Sequence, residues 1–289
     1  VNRRVPTWSV PMFFIVGAVS QYVGAALAVF LFTTANPAAV AWLRAAGAAV
    51  VLLAWRRPWR RLWTRRALAV AAGFGIVTVG MNVAFFEAIS RIPLGTAVAI
   101  EFIGPVAVAT LGARRPRDVL AVILATGGVA LLAGVQAGAN AVGVFFALTA
   151  AALWAGYILL GKRVADAGSG LDSLAIGMAV AAVLLAAPLL AGQLHTDAHV
   201  LGEPRTWLLG LGVGVLSTAV PYGLDQFVLT FISRARFALL LALLPAAAAG
   251  TGAVMLHQWL TVAELAGIAL VMAALVISAD DSVAEDTGN

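Results

Sequence analysis

The chain has 289 residues, 62% of them hydrophobic and 11% charged, with a mean hydropathy of +1.00. Soluble domains carry about 25% charged residues, so this composition specifies an integral membrane protein and leaves no polar stretch long enough for a separate soluble domain. The net charge of +5 resides in loops and implies no nucleic-acid partner, and the absence of cysteine excludes disulfides and thiolate chemistry.

Apolar runs long enough to cross a hydrocarbon core recur ten times, near 11–32, 37–55, 67–88, 93–112, 119–135, 141–161, 173–192, 207–230, 236–256 and 261–279. The expected fold is all-α, with ten transmembrane helices. The first run follows Arg3 and Arg4 as a secretory signal would, but it is too long for such a signal's apolar core and lacks a cleavage site, so it reads as a retained helix. Residues 1–10 form the N-terminal segment and the acidic stretch 280–289 reads as a disordered tail. The breaks between runs are turn chemistry or charge: Asn36-Pro37, the arginine-rich 56–66, Arg91-Ile92-Pro93, Arg114-Arg115-Pro116, Gln136 to Asn140, Lys162 to Asp172 and 193–206.

Basic residues orient the chain. With the N-terminus in the cytoplasm, fifteen of eighteen Lys and Arg fall on the cytoplasmic side, Arg91 and Arg205 fall outside, and Arg44 lies within a span. Both termini are then cytoplasmic. Trp55, Trp59 and Trp63 at one surface, with Trp207 and Trp259 at the other, fit interfacial aromatic belts.

A weak repeat divides the chain into residues 11–135 and 141–279. AVAIEFIGP, ending at Pro105, aligns with FALLLALLP, ending at Pro245; Gly128-Val-Ala-Leu aligns with Gly267-Ile-Ala-Leu, and Tyr22 and Gly24 match Trp154 and Gly156. Each half holds five spans. Five is odd, so the second half enters the membrane inverted, the arrangement that suits alternating access around a central site.

The segment from Met81 to Pro105 carries the chemistry. Glu101 lies about eight residues inside the fourth span, where an acid costs roughly 2.5–3.5 kcal/mol on insertion scales and marks a functional site by default. Pro105 removes the N–H that would bond the Glu101 carbonyl. Pro221 does the same to Ser217, and Pro245 is the repeat partner of Pro105; these three are the candidate hinges. Arg44, in the second span, sits at similar depth, roughly 11 Å below the outer surface at 1.5 Å per residue. Three readings of Arg44 and Glu101 stay open: a static pair that fixes packing, a pair broken by a substrate carboxylate or a proton, or an Arg44 that reaches for the outer interface.

Other polar groups share helix faces. Gln21 lies on a small-residue stripe with Gly17, Gly24 and Ala28. Asn82 shares a face with Thr78 and Phe86, Tyr157 with Trp154 and Gly161, and Asp225 with Ser217 and Pro221, with Tyr222 and Gln226 alongside. Such stripes serve either as packing seams or as a cavity lining. The Gly134-xxx-Gly138 and Gly210-xxx-Gly214 patterns leave a homodimer open. His195 and His199, spaced i,i+4 beside Asp197, lack an evident third ligand, so no metal site is expected. No HExxH, phosphate-binding Gly-rich loop or GxSxG is present; neither an enzyme nor a cofactor is expected.

The layout resembles the EamA-type permeases of the drug/metabolite transporter superfamily. NVAFFEAISRIPLGTAVAIEFIGPVAVA in the first half and YGLDQFVLTFISRARFALLLALLPAAAA in the second are similar in particular to the threonine/homoserine exporter branch. The resemblance implies an inner-membrane secondary transporter that exports small metabolites, amino acids above all, by proton antiport across the lipid bilayer. It implies a cavity lined by spans 1–4 and 6–9. Leu241 and Leu244 stand where the first half has Glu101 and Gly104, so the acidic, kinked feature is one-sided. The alternatives are export of drugs or hydrophobic cations on the same fold, or a non-transporting membrane sensor or assembly subunit.

Overall fold

The computed structural model describes residues 9–110, 116–166, 170–221, 224, 228 and 240–286. Among the described residues every regular element is helical. Helix α1 (Ser9–Leu31) leads through a tight turn to α2 (Pro37–Arg56), which opens on Pro37, where a missing N–H costs nothing. A 3₁₀ turn (Pro58–Arg60) precedes α3 (Arg65–Ile89), capped by Thr64, whose hydroxyl accepts from the Ala67 N–H. Then come α4 (Leu94–Glu101), α5 (Ile103–Thr110), α6 (Pro116–Asp166), α7 (Gly170–Leu184), α8 (Ala186–Thr196), a short α9 (His199–Gly202) and α10 (Pro204–Gly214). Helix α10 runs into a π-helical turn, Val215–Ala219; α11 (Leu244–Leu256) and α12 (Val262–Asp286) close the described chain.

Among the described residues, five segments are long and apolar enough to cross a membrane: Pro11–Leu31, Pro37–Arg56, Arg65–Ile89, Pro116–Gln136 and Asn140–Val164. The pair α7 and α8, bent by 46°, makes a sixth. The protein is a multi-pass, all-α membrane protein. Leu94–Val108, Leu244–Leu256 and Val262–Ile277 are apolar but shorter.

The expected helices depart from straight rods for identifiable reasons. The run expected at 93–112 is broken at Phe102, because Pro105 gives the Glu101 carbonyl no i+4 donor. The run at 173–192 bends at Leu185, because Pro188 does the same to Leu184. The runs at 119–135 and 141–161 are stacked end to end in α6, separated only by Asn140 at φ −155°, ψ 78°. Asn140 Oδ1 accepts from the Gly143 N–H at 3.0 Å, so it is the N-cap of the second half. The tail expected to be disordered from residue 280 continues α12 in helical form through Asp286; neither Gly nor Pro interrupts it before Gly288.

Apolar side chains face both ways, as lipid requires. Phe86, Phe102, Leu94, Ile100 and Leu132 fill one core between α1, α3, α4, α5, α6, α11 and α12. Leu52, Phe74, Val79 and Met178 fill another between α2, α3 and α7. Val183, Val254 and Phe145 point outward. The outer ends of the helices, on the orientation read from the arginines, are tied by side chains. Gln193 Oε1 accepts from the Asn36 N–H at 2.7 Å, and Gln258 Oε1 accepts from the Leu94 N–H at 2.9 Å. Glu264 is buried and forms a capping box with Thr261 while accepting from Gln136 and Thr96.

Helices α3 and α7 cross backbone to backbone. A Cβ on Gly75 would lie 1.9 Å from the Gly177 carbonyl oxygen, and one on Gly177 would lie 2.3 Å from that of Ala71. Small residues permit such approaches, which drive helix association in lipid. Gly177→Val is expected to lower the melting temperature in detergent and disperse the monodisperse peak, because overpacking costs about 1–3 kcal/mol and the obstacle here is backbone. Gly127→Ala, with nothing within 4 Å, is expected to behave as wild type in the same two measurements.

Candidate functional site

The break in α4–α5 and the π turn after α10 face each other across a cavity of about 330 Å³. At roughly 30 Å³ per water it has room for on the order of ten waters, or one small ligand with some of them. Arg44 from α2, Asn82 from α3, Glu101 from α4, Gln21 from α1, Trp154 and Tyr157 from α6, Pro105 and Pro221 all line it. Leu241 and Leu244, the residues that mark the asymmetry of the two halves, line it too. Arg44 and Glu101 are each 8% exposed, so a charged group of either sign is held inside the protein and away from lipid.

Arg44 is fixed by the π turn. Pro221 has no N–H to offer the Ser217 carbonyl, and the guanidinium takes its place: Nη2 donates to Ser217 O at 3.0 Å and Nε donates to Thr218 Oγ1 at 3.3 Å. Ser20 on α1 donates to the neighbouring Leu216 carbonyl at 2.8 Å. Single π turns often mark functional sites because they release backbone acceptors, and here two successive carbonyls are claimed by side chains of other helices. Gly24 makes the approach of α1 feasible, since a Cβ there would lie 2.9 Å from the Ser217 Cβ.

Aromatic rings back these polar groups. The guanidinium carbon of Arg44 lies 5.4 Å from the centroid of Phe86, which is fully buried and stands behind the cavity wall. Phe32 packs edge-on against Phe86 at 5.7 Å. Trp154 meets Phe102 edge-on at 4.7 Å, so the residue at the α4–α5 break is clamped by a ring from α6. Tyr157 stacks on Phe74 at 4.9 Å. Pro245 is buried at the start of α11, behind Leu244. Tyr222, Asp225 and Gln226 lie outside the described residues.

Met81 and Thr218 carry no site signal of their own in the sequence, and Tyr22 stands out there only as the repeat match of Trp154. Tyr22 and Met81 line the cavity beside Gln21 and Asn82, so on these helices the lining is one residue wider than the polar stripe. The signal for Thr218 was its place one turn before Pro221, where a hydroxyl joins a freed carbonyl.

With this geometry in hand, similarity to known proteins has a definite meaning. The EamA-like transporter family model matches residues 141–279. The threonine/homoserine exporter RhtA of Escherichia coli (strain K12) is 36% identical over 275 residues, 94% of this chain and 92% of that protein. RhtA of Salmonella typhimurium (strain SL1344) is 35% identical over 276 residues, with the same coverage. The chain belongs to the EamA-like transporter family. It is therefore a transport protein and not an enzyme, and the resemblance carried by residues 82–109 and 222–249 identified the right family. A crystal structure of a protein 19% identical to this EamA-like transporter has the same fold, with a TM-score of 0.60 over 94% of this chain and 96% of that one.

Thr218→Val removes an acceptor from a buried guanidinium, an interaction worth about 1.5–3 kcal/mol. The variant is expected to melt several degrees below wild type in detergent, and Thr218→Ser is expected to recover most of the loss. Equal melting temperatures for the valine variant and wild type would dissociate Thr218 from Arg44.

Proposed function

We propose that this EamA-like transporter is an inner-membrane secondary exporter of a small amino acid, threonine- or homoserine-like, working by alternating access and proton antiport. The observation that carries the reading is a cavity lined by both a guanidinium, Arg44, and a carboxyl group, Glu101. Full-length similarity to threonine/homoserine exporters supports the substrate class.

The substrate carboxylate binds Arg44, whose planar fork suits bidentate recognition and whose other donors are already anchored to Ser217 and Thr218. Glu101 binds the substrate ammonium in one half of the cycle and a proton in the other. Asn82 and Gln21, with Tyr222, Asp225 and Gln226 from the second half, supply hydrogen bonds to a side-chain hydroxyl. Trp154, Tyr157, Phe85 and Met81 enclose the carbon skeleton, and Phe86 steadies Arg44 from behind. Pro105, Pro221 and Pro245 are the points at which helices yield as the halves rock.

Ten spans in two inverted halves, 11–135 and 141–279, are part of this proposal. Repeat-matched residues that touch each other must lie near a pseudo-two-fold axis, and Gly128 and Gly267 do touch: a Cβ on Gly128 would lie 2.7 Å from the Gly267 carbonyl oxygen. The packing of Gly75 on Gly177 has a counterpart in Gly214, which matches Gly75 at the same spacing and packs on the backbone around Gly47. Helix α4 breaks at Phe102, and the chain turns at Ala242 and Leu243 just before Pro245. The arginine distribution supports cytoplasmic termini.

Efflux of labelled threonine or homoserine from loaded vesicles tests the reading. An imposed pH gradient is expected to speed efflux by the purified wild type. Glu101→Gln is expected to lose at least about tenfold and its response to the gradient, since removing a charged partner costs several kcal/mol. Arg44→Gln is expected to raise KM by a similar factor. Wild-type rates in Glu101→Gln would remove the acid from the mechanism.

Accessibility separates a transport cavity from a packing seam. On this cysteine-free background, single cysteines at positions 82 and 101 are expected to react with membrane-impermeant thiol reagents, and the one at 82 to be protected by substrate. Uniform protection with or without substrate would favour the seam.

A further inference from the structure

The connector between α2 and α3 is not a plain solvated loop. Residues 56–66 contain Arg56, Arg57, Arg60, Arg61, Arg65 and Arg66 and no acid. The segment is built: Arg57 ends α2 in the left-handed region at φ 49°, and Pro58 is buried at the head of the 3₁₀ turn. Trp63 Nε1 donates back to the Pro58 carbonyl at 3.0 Å, and the Arg61 guanidinium lies 5.9 Å from the Trp63 ring centroid. Asp172 on α7 pairs with Arg56 at 2.9 Å. The remaining five arginines are exposed.

This ordered turn holds its large apolar residues outward. Leu62 is 100% exposed and Trp59 63%. A turn stable enough to bury Pro58 and bond Trp63 presents them this way at a helix end, where the bilayer surface lies. Leu and Trp gain free energy at the headgroup–acyl boundary, and guanidinium groups match phosphate in geometry and charge.

We propose that residues 57–63 are a docking surface for the anionic phospholipid headgroups of the surrounding leaflet. Trp59 and Leu62 insert at the acyl boundary, and Arg57, Arg60 and Arg61 hold the phosphates. The surface lies apart from the transport cavity and requires only that α2 and α3 cross the membrane. Each arginine at a charged surface changes local association about fivefold.

The test reconstitutes the full chain in phosphatidylcholine bilayers and compares spin-labelled phosphatidylglycerol with spin-labelled phosphatidylcholine at the protein boundary by electron paramagnetic resonance. Averaged over the whole boundary, the wild type is expected to favour phosphatidylglycerol at least about twofold at low salt. The ratio is expected to approach one in R57Q/R60Q/R61Q, and to fall in the unmodified wild type as sodium chloride screens the arginines. The salt series stands even if the triple variant misfolds. Equal association of the two lipids with the wild type overturns the proposal, as does an undiminished ratio in a folded triple variant. Inorganic phosphate that displaces the lipid beyond chloride of equal ionic strength would reassign the arginines to free phosphate. A failed efflux assay leaves the lipid ratio untouched, so the two readings fall separately.

Discussion

A guanidinium does not discharge inside a bilayer, so a chain that carries Arg44 at membrane depth must bring acceptors to it. Side chains of neighbouring helices are one source, but backbone carbonyls are already engaged in their own helix. The structure solves this with a proline. Pro221 leaves the Ser217 carbonyl without its helical donor, the chain relaxes into a π turn, and the Ser217 carbonyl and Thr218 hydroxyl receive Arg44. The cost of the proline and the cost of the buried cation offset each other.

The same constraint shapes what surrounds the cation. Helices α1, α2 and α10 must meet closely enough for Ser20 and Arg44 to reach adjacent carbonyls of one turn, and the small surface of Gly24 makes that meeting possible. On the opposite wall, Pro105 breaks the helix just after Glu101, and Phe102 at the break is gripped by Trp154. Each wall therefore combines an ionisable side chain with a helix that proline has interrupted. A cavity large enough for water between them makes both groups tolerable at that depth.

The all-helical membrane class, the proline-freed carbonyls and most of the described polar lining were legible in the sequence because each has a local cause. Hydropathy marks a span, an i−4 relation to proline marks a freed carbonyl, and an acid in an apolar run marks a cavity. Glu101 is an acid and Arg44 a base inside apolar runs, Asn82 and Trp154 lie on polar helix faces, and all four line one pocket. Partner choice was not legible. The freed carbonyls of Pro105 and Pro221 are equivalent on paper, and only tertiary packing decides that Arg44 goes to Ser217. Glu264 was passed over as an ordinary residue of the last span; its T-x-x-E spacing after Thr261 was the missed signal, and its bonds to Thr96 and Gln136 come from distant chain. The bend at Leu185 was readable from Pro188 by the rule already applied to Pro105 and Pro221, but the run was treated as straight.

The proposed repeat matches Pro105 with Pro245 but is asymmetric in its charges, and that difference constrains the ligand. On the register that pairs Pro105 with Pro245, Glu101 falls on Leu241; on the register that pairs Gly47 with Gly177, Arg44 falls on Leu174. Leu241 and Leu244 line the same cavity as Glu101, while Leu174 is buried in the second core. A hydrophobic cation would be served by the acid and the apolar wall, but it would meet Arg44 as an unfavourable like charge. A simple anion would meet Glu101 in the same way. A zwitterion with a short side chain opposes each charge with its complement and turns its carbons to the leucines. That match, more than cavity size, is the physical reason for preferring an amino acid over the drugs and cations that the same fold could enclose.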